Sequence, residues 1–283
     1  MFTADTLTDK IILVTGGGSG LGLSMAKAFV RQGADIAICG RTEVKLQKAV
    51  DEIRKEREGA RVRYYSVDVR DHEQVLDMFG QIVSNFGKLD GLVNNAAGNF
   101  LSASEDLTPG GFKAVVDIVL NGTFNCTHAF GNYLINNKRH GSVLNIVTTY
   151  AKHGSAFVLP SACAKAGVLT MTKTLAFEWA EYNIRLNAIA PGSFQTKGAW
   201  GKLVPNAMIE EMMIKQNPTK RLGRHEELTN LAIFLMSDLA PYITGEEIVI
   251  DGGESLKAGQ FNFVTSLMSR KKLKVAFKAM RAK

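Results

Sequence analysis

Cysteine is scarce: Cys39, Cys126 and Cys163 are all that 283 residues contain. An odd number without C-x-x-C spacing argues against a disulfide framework. Cys39 and Cys126 stand in apolar segments where burial is expected, so a reducing cytosol fits. None of His72, His128, His140, His153 and His225 forms an H-x-x-x-H pair or has a cysteine partner nearby, and no metal site is expected. No run of eighteen apolar residues exists, so no membrane-spanning helix is expected. Internal repeats, low-complexity tracts and Pro/Gly/Ser linkers are missing too. With 46% hydrophobic residues, a chain of this length can bury one full core, which predicts a single domain. The start, MFTADTLTDKIILVTGGGSG, lacks a charged leader with an apolar h-region and a cleavage site, and the end does not read Ser-Lys-Leu. A bacterial-type cytoplasmic protein is therefore the expectation.

Acid is missing from one place in particular. Residues 270–283, RKKLKVAFKAMRAK, hold seven Lys or Arg and no Asp or Glu. They account for the whole formal charge of +7, since the other 269 residues carry 27 of each sign. Such a balance favours an anionic partner in general: nucleic acid, a membrane surface or a phosphorylated small molecule. The tail itself reads either as a solvated extension or as a contact for a phosphate-bearing ligand or a partner subunit.

What is present is an alternation. KIILVT, DIAICG, RVRYYSVD, LDGLVNNAA, GSVLNIVTT, IRLNAIAPG and EEIVIDGG read as seven strands. Segments with helical periodicity lie between them, near 20–32, 43–58, 71–86, 110–136, 160–182 and 224–237. This is the pattern of an α/β doubly wound parallel sheet with helices on both faces. The stretch 193–220 is longer than a connection requires and predicts a lid over the carboxyl end of the sheet. In it, Met208, Met212 and Met213 on neighbouring turns suit an acyl chain, or equally an amphipathic helix lying on the core.

The first strand runs into TGGGSGLG, where Gly16, Gly20 and Gly22 form G-x-x-x-G-x-G. Glycine there lets backbone approach a pyrophosphate, whose charge meets the free N–H groups of the following helix. Gly18, Ser19 and Leu21 belong to the same turn. Nineteen residues beyond Gly22, where an acid would hold the ribose hydroxyls of NAD, stands Arg41, with Lys45 close by. That favours NADP(H). Asp68, followed by Val69 at the end of the third strand, is placed to touch the adenine amino group, although a helix-capping Asp would look the same.

With TGGGSGLG, VDV, NNAAG (Asn94 to Gly98), NGT (Asn121 to Thr123), Lys165 and PGS (Pro191 to Ser193) in this order, the chain resembles the short-chain dehydrogenase/reductase family over roughly residues 8–253. The resemblance implies a Rossmann-type reductase domain spanning 1–269, the lid included, with 270–283 as a basic tail. It implies cofactor contacts from Asn95, Ala96, Ala97, Gly98, Pro191 and Gly192. Asn121 would order a water and the lysine, and Lys165 would hold the nicotinamide ribose. A homotetramer built through the helices near 110–136 and 160–182 is also implied.

The family normally places a tyrosine four residues before the lysine. Here that position is Ser161, and the nearest tyrosine is Tyr150, fifteen residues before Lys165. NNAAGNF, DIVLNGTF, TTYA and PSACAKAGV are similar to the 2,4-dienoyl-CoA reductases of this family, in which the same exchange occurs. That resemblance implies NADPH as cofactor, an acyl-CoA as substrate, and no nucleic acid partner. It implies hydride delivery to the δ-carbon, protonation at the α-carbon and a 3-enoyl-CoA product in unsaturated fatty acid β-oxidation. Tyr150 and Asn121 would hold the enolate oxygen, with Ser161 in support and Thr148 where the ordinary family keeps its serine. A reductase of another enoyl or carbonyl substrate and a non-catalytic NADP-binding sensor are the alternatives.

Overall fold

The computed structural model describes residues 5–196, 204 and 206–281. Each predicted apolar run supplies one strand: β1 (Ile11–Thr15), β2 (Asp35–Gly40), β3 (Val62–Ser66), β4 (Gly91–Asn94), β5 (Gly141–Ile146), β6 (Ile184–Pro191) and β7 (Glu247–Ile250). They form one sheet, ordered β3-β2-β1-β4-β5-β6-β7, with every neighbouring pair parallel. All residues of β1 and β4 are buried, as strands covered on both faces must be.

Side-chain alternation divides the core. Ile12 and Val14 of β1 point to one face and join Met25 and Phe29 of α1 (Gly20–Arg31), Leu46 and Ile53 of α2 (Glu43–Arg54), and Leu228 and Ile233 of the helix His225–Met236. Ile11 and Leu13 point to the other, against Val75 and Ile82 of α3 (His72–Phe86) and Cys126 and Phe130 of the helix Gly122–Asn136. Each fully buried side chain of this size contributes about 1.5–3 kcal/mol. The doubly wound parallel sheet expected from the sequence is the fold that forms.

The predicted helix over 110–136 is continuous but not uniform. α4 (Pro109–Val116) starts on Thr108, whose hydroxyl accepts from the Gly111 N–H at 3.1 Å, and has proline in its first turn. Residues Asp117–Asn121 form a π turn, and α5 (Gly122–Asn136) continues from it. Such turns add one residue to the spiral and shift every later side chain around the axis. β5 is shorter than its apolar run. After Ile146 the chain turns through a 3-10 segment, Thr149–Ala151, before α6 (Leu159–Glu178), which lifts Tyr150 above the sheet edge.

Between β6 and α8 (His225–Met236) lies α7 (Ala207–Gln216), on which no residue is buried. Met213 is half-covered, while Met208 and Met212 are exposed. Lys197 and Lys202 of the expected lid lie outside the described residues. After β7 come the short α9 (Val264–Leu267) and α10 (Arg270–Arg281). Residues 270–281 of the basic run read from composition are therefore helical.

Candidate active site

The sheet order reverses direction between β1 and β4, and the carboxyl ends of these strands open the crevice where such folds bind ligands. Gly16 has φ +64°, and a Cβ on Gly22 would stand 2.5 Å from Asn95 Nδ2 and 2.6 Å from the Gly16 oxygen. Asn95 locks this turn to β4. Its side-chain amide donates to the carbonyls of Thr15 (3.0 Å) and Gly16 (3.3 Å), while the backbone N–H groups of Asn95 and Ala96 both donate to Thr15 Oγ1 at 3.0 Å. α1 begins at Gly20 after Ser19, whose side chain makes no cap, so its first N–H groups lie open to an anion. Gly18 abuts Leu46, and Leu21 packs partly against the core. Ala97 and Gly98 continue as coil beyond Ala96.

At the far end of the crevice Arg41 is exposed and, among the described residues, has no ion pair or hydrogen bond of its own. Glu43, the nearest acid in sequence, accepts from Tyr64 Oη at 2.9 Å. Asp68 is held below the usual carboxylate range, chiefly by hydrogen bonds from the Arg70 guanidinium, with the Arg41 charge adding to the effect. Val69 is buried against Gly122, and its carbonyl accepts from Asn125. Pro191 closes β6, and the Gly192 N–H donates to the Ile250 carbonyl at 3.0 Å.

The second cluster sits over β5. Ser161 and Lys165 are four apart in the first turns of α6, hence on one face, and both are buried. Tyr150 Oη is 3.2 Å from Ser161 Oγ, and the Asn99 amide donates to the same phenol oxygen at 3.4 Å. Lys165 Nζ donates to the Ile146 carbonyl, and burial pushes its pKa from 10.5 down to about 8. Thr148 Oγ1 is buried and has no partner among the described residues.

Asn121 makes none of these hydrogen bonds. It ends the π turn, is exposed, and donates to Asp117 Oδ1 at 3.1 Å. The amide beside Tyr150 belongs to Asn99, which stands within NNAAGNF without a spacing signal of its own. Near Asn99 and Ser161 in sequence, Phe100, Leu101, Phe157 and Leu159 are exposed on loops and on the first turn of α6. Phe157 holds φ +65°, a left-handed conformation strained for a bulky side chain, and its carbonyl accepts from the Ser102 N–H at 3.0 Å.

With this geometry in place, comparison with known proteins is decisive. The profile of a family described as "Enoyl-(Acyl carrier protein) reductase" matches residues 16–255. A Caenorhabditis elegans protein named "Probable 2,4-dienoyl-CoA reductase 3 [(3E)-enoyl-CoA-producing]" is 44% identical over 251 residues, 88% of this chain and 81% of the relative. A Bacillus subtilis "Probable 2,4-dienoyl-CoA reductase [(2E)-enoyl-CoA-producing]" is 44% identical over 253 residues, 89% of this chain and 99% of the relative. The crystal structure of a short chain dehydrogenase from Bacillus anthracis superposes with a TM-score of 0.79 at 43% identity, covering 87% of this chain and 96% of that one. The chain belongs to the short-chain dehydrogenase/reductase family. It is an oxidoreductase that uses a nicotinamide cofactor.

The residues present fit a dinucleotide of this family. The cradle at Gly16 and Gly22 is a space that a Cβ would fill, the helix start carries no side-chain cap, and Thr148 Oγ1 is a buried hydroxyl with no partner among the described residues.

One support of the reductase site lies far away in sequence. Lys152, two residues past Tyr150, pairs with the Glu247 carboxylate on β7, whose side chain is only 2% exposed. Removing Lys152 leaves the enclosed Glu247 carboxylate without its partner, and because Lys152 is itself 48% exposed, solvent offsets part of the loss, to about 1–3 kcal/mol. Lys152→Ala should therefore destabilise the fold clearly, and adding Glu247→Gln should restore most of the loss. Denaturant titration of the single and double variants measures this, and equal stability of both would show the pair to be inert.

Proposed function

We propose that this protein is an NADPH-dependent 2,4-dienoyl-CoA reductase, converting 2,4-dienoyl-CoA to 3-enoyl-CoA in the β-oxidation of unsaturated fatty acids. The observation that carries the reading is the phenol of Tyr150, bracketed by Asn99 Nδ2 at 3.4 Å and Ser161 Oγ at 3.2 Å, where the ordinary family has a tyrosine in place of Ser161.

NADPH supplies a hydride when bound. Ketone reduction needs a phenol to protonate the oxygen directly. Conjugate reduction instead adds hydride at the remote δ-carbon, and charge gathers on the thioester oxygen. Fixed donors aimed at that oxygen then stabilise the transition state. Tyr150 Oη and Asn99 Nδ2 are two such donors. This role replaces the one expected of Asn121, whose amide is engaged by Asp117. Ser161 orients the phenol, Lys165 holds the nicotinamide ribose, and Thr148 stands where the ordinary family keeps its serine. Charge in the resulting dienolate is greatest at the α-carbon, so a proton returns there and the double bond remains between carbons 3 and 4. The exposed apolar side chains Phe100, Leu101 and Phe157 would meet the acyl chain.

The two named relatives differ in product, (3E) against (2E). Carbon NMR of the product from 2,4-hexadienoyl-CoA tests the choice: a 3-enoyl thioester is expected, and a 2-enoyl thioester would move protonation to the γ-carbon.

Cofactor choice rests on Arg41. Its guanidinium would pair with the 2′-phosphate, a charge-assisted contact. Arg41→Asp should raise the KM for NADPH by 10-fold or more, on the order of 1.5–3 kcal/mol, with little change for NADH. Equal losses with both would remove Arg41 from the phosphate.

We also assign a homotetramer. Phe124 of α5 and Phe177 of α6 are 49% and 89% exposed on the helices expected to form the subunit contact. Light scattering should give four times the subunit mass. No helix of the described residues is long and apolar enough to cross a membrane.

A further inference from the structure

We infer that α10 docks this protein on an anionic lipid surface, laying its apolar stripe among the acyl chains and its cations on the phosphate headgroups. Leu273, Ala276, Phe277 and Met280 follow the i, i+3, i+4, i+7 spacing of a single helical stripe about 100° wide. Arg270, Lys274, Lys278 and Arg281 flank it on one side and Lys272 on the other. No residue of this helix is buried: Phe277 is 48% exposed, Met280 72%. The segment before it presents Phe261, Phe263, Leu267 and Met268 to solvent as well. All of this lies beyond residue 255, where the match to the reductase family ends.

Charge decides the occupant. Seven cations stand in residues 270–283 without one acid, while the other 269 residues hold 27 acids against 27 bases. A second copy of the chain therefore offers no acidic excess to cover them, and a second copy of this helix brings the same charge. An anionic bilayer complements both the stripe and its flanks: basic amphipathic helices lie in the interfacial plane, and each Lys or Arg near such a surface strengthens binding on the order of fivefold. Long-chain acyl thioesters are amphiphiles that collect at the same surface, so docking would bring the enzyme to them. The docking itself does not depend on the dienoyl-CoA reading, because lipid binding is measured without turnover.

Flotation of the full chain with lipid vesicles tests the proposal. Binding to phosphatidylglycerol-containing vesicles, at least tenfold above binding to pure phosphatidylcholine and falling as salt is added, is expected. A chain ending at Ser269 should lose it. Leu273→Asp/Phe277→Asp, which keeps every cation, should also lose it while turnover of a soluble short-chain acyl-CoA stays unchanged. Absence of vesicle binding by the full chain overturns the proposal, as does binding that survives truncation. Binding untouched by the double aspartate variant rules out the apolar stripe and leaves only diffuse attraction. A truncated chain that loses subunit association, or whose KM for soluble acyl-CoA rises, assigns the tail to a second copy or to the coenzyme phosphates and equally overturns it.

Discussion

Tyr150→Phe is expected to lower kcat on a 2,4-dienoyl-CoA by about 10²–10³, the loss found when one oxyanion donor is removed. The phenol is held by two partners, Asn99 Nδ2 and Ser161 Oγ. Phenylalanine keeps the ring and its packing but leaves the developing charge on the thioester oxygen with a single donor. Binding of NADPH, measured by fluorescence, should be preserved, because the phenol is assigned to the substrate and not to the dinucleotide. Ser161→Ala should cost less, since the Asn99 amide still holds the phenol when the Ser161 hydroxyl is gone. Ser161→Tyr restores the usual family spelling but fills the space beside Tyr150, so it should block dienoyl reduction without giving efficient ketone reduction. A nearly normal Tyr150→Phe enzyme beside an inactive Ser161→Ala enzyme would exchange the two assignments.

Lys165→Met should produce the second large effect, and stability and activity should move in opposite directions. Burial lowers the Lys165 pKa from 10.5 to about 8, which means that folding opposes its charge at neutral pH. Between those two values the unfolded chain binds the extra proton, so stability rises with pH across that window and carries its full penalty below it. The difference amounts to about 3 kcal/mol, reduced by the hydrogen bond to the Ile146 carbonyl that methionine cannot make. Calorimetry at pH 7 should find the variant melting no lower than the parent, and its stability should lack the rise between pH 8 and 10.5. Turnover should fall by about 10² or more, as for other charged contacts in a water-excluded site. In the parent, kcat/KM should decline as pH rises through about 8, where the free enzyme loses this ammonium. A marked loss of stability in Lys165→Met would mean that the lysine is a structural strut.

The sheet was legible because its signal is local. Ile11 to Val14 and Ile36 to Cys39 are unbroken apolar runs, and strands covered on both faces read that way. The glycine turn was legible for the same reason, since backbone approach leaves room for no other residue at Gly22. The two asparagines show where local signals end. Asn99 and Asn121 carry the same amide. The π turn at 117–121 leaves Asn121 exposed and bonded to Asp117, whereas the coil after β4 brings Asn99 to Tyr150, fifty-one residues away. Neither a one-residue change of helical spiral nor a loop's path leaves a composition signal. Lys152 and Glu247 are ninety-five residues apart and meet only through the order of the sheet. For the tail, charge was legible, and so was the amphipathic spacing of Leu273, Phe277 and Met280; composition alone concealed it.

Oxidation of NADPH, followed by its absorbance with 2,4-hexadienoyl-CoA, crotonyl-CoA and acetoacetyl-CoA in parallel, tests the central assignment most directly. Turnover of the dienoyl thioester far above the other two is expected, because only the dienoyl chain extends a conjugated acceptor to the δ-carbon while Tyr150 and Asn99 hold its thioester oxygen. Faster turnover of acetoacetyl-CoA, or stoichiometric NADPH binding without turnover of any of the three, would contradict it.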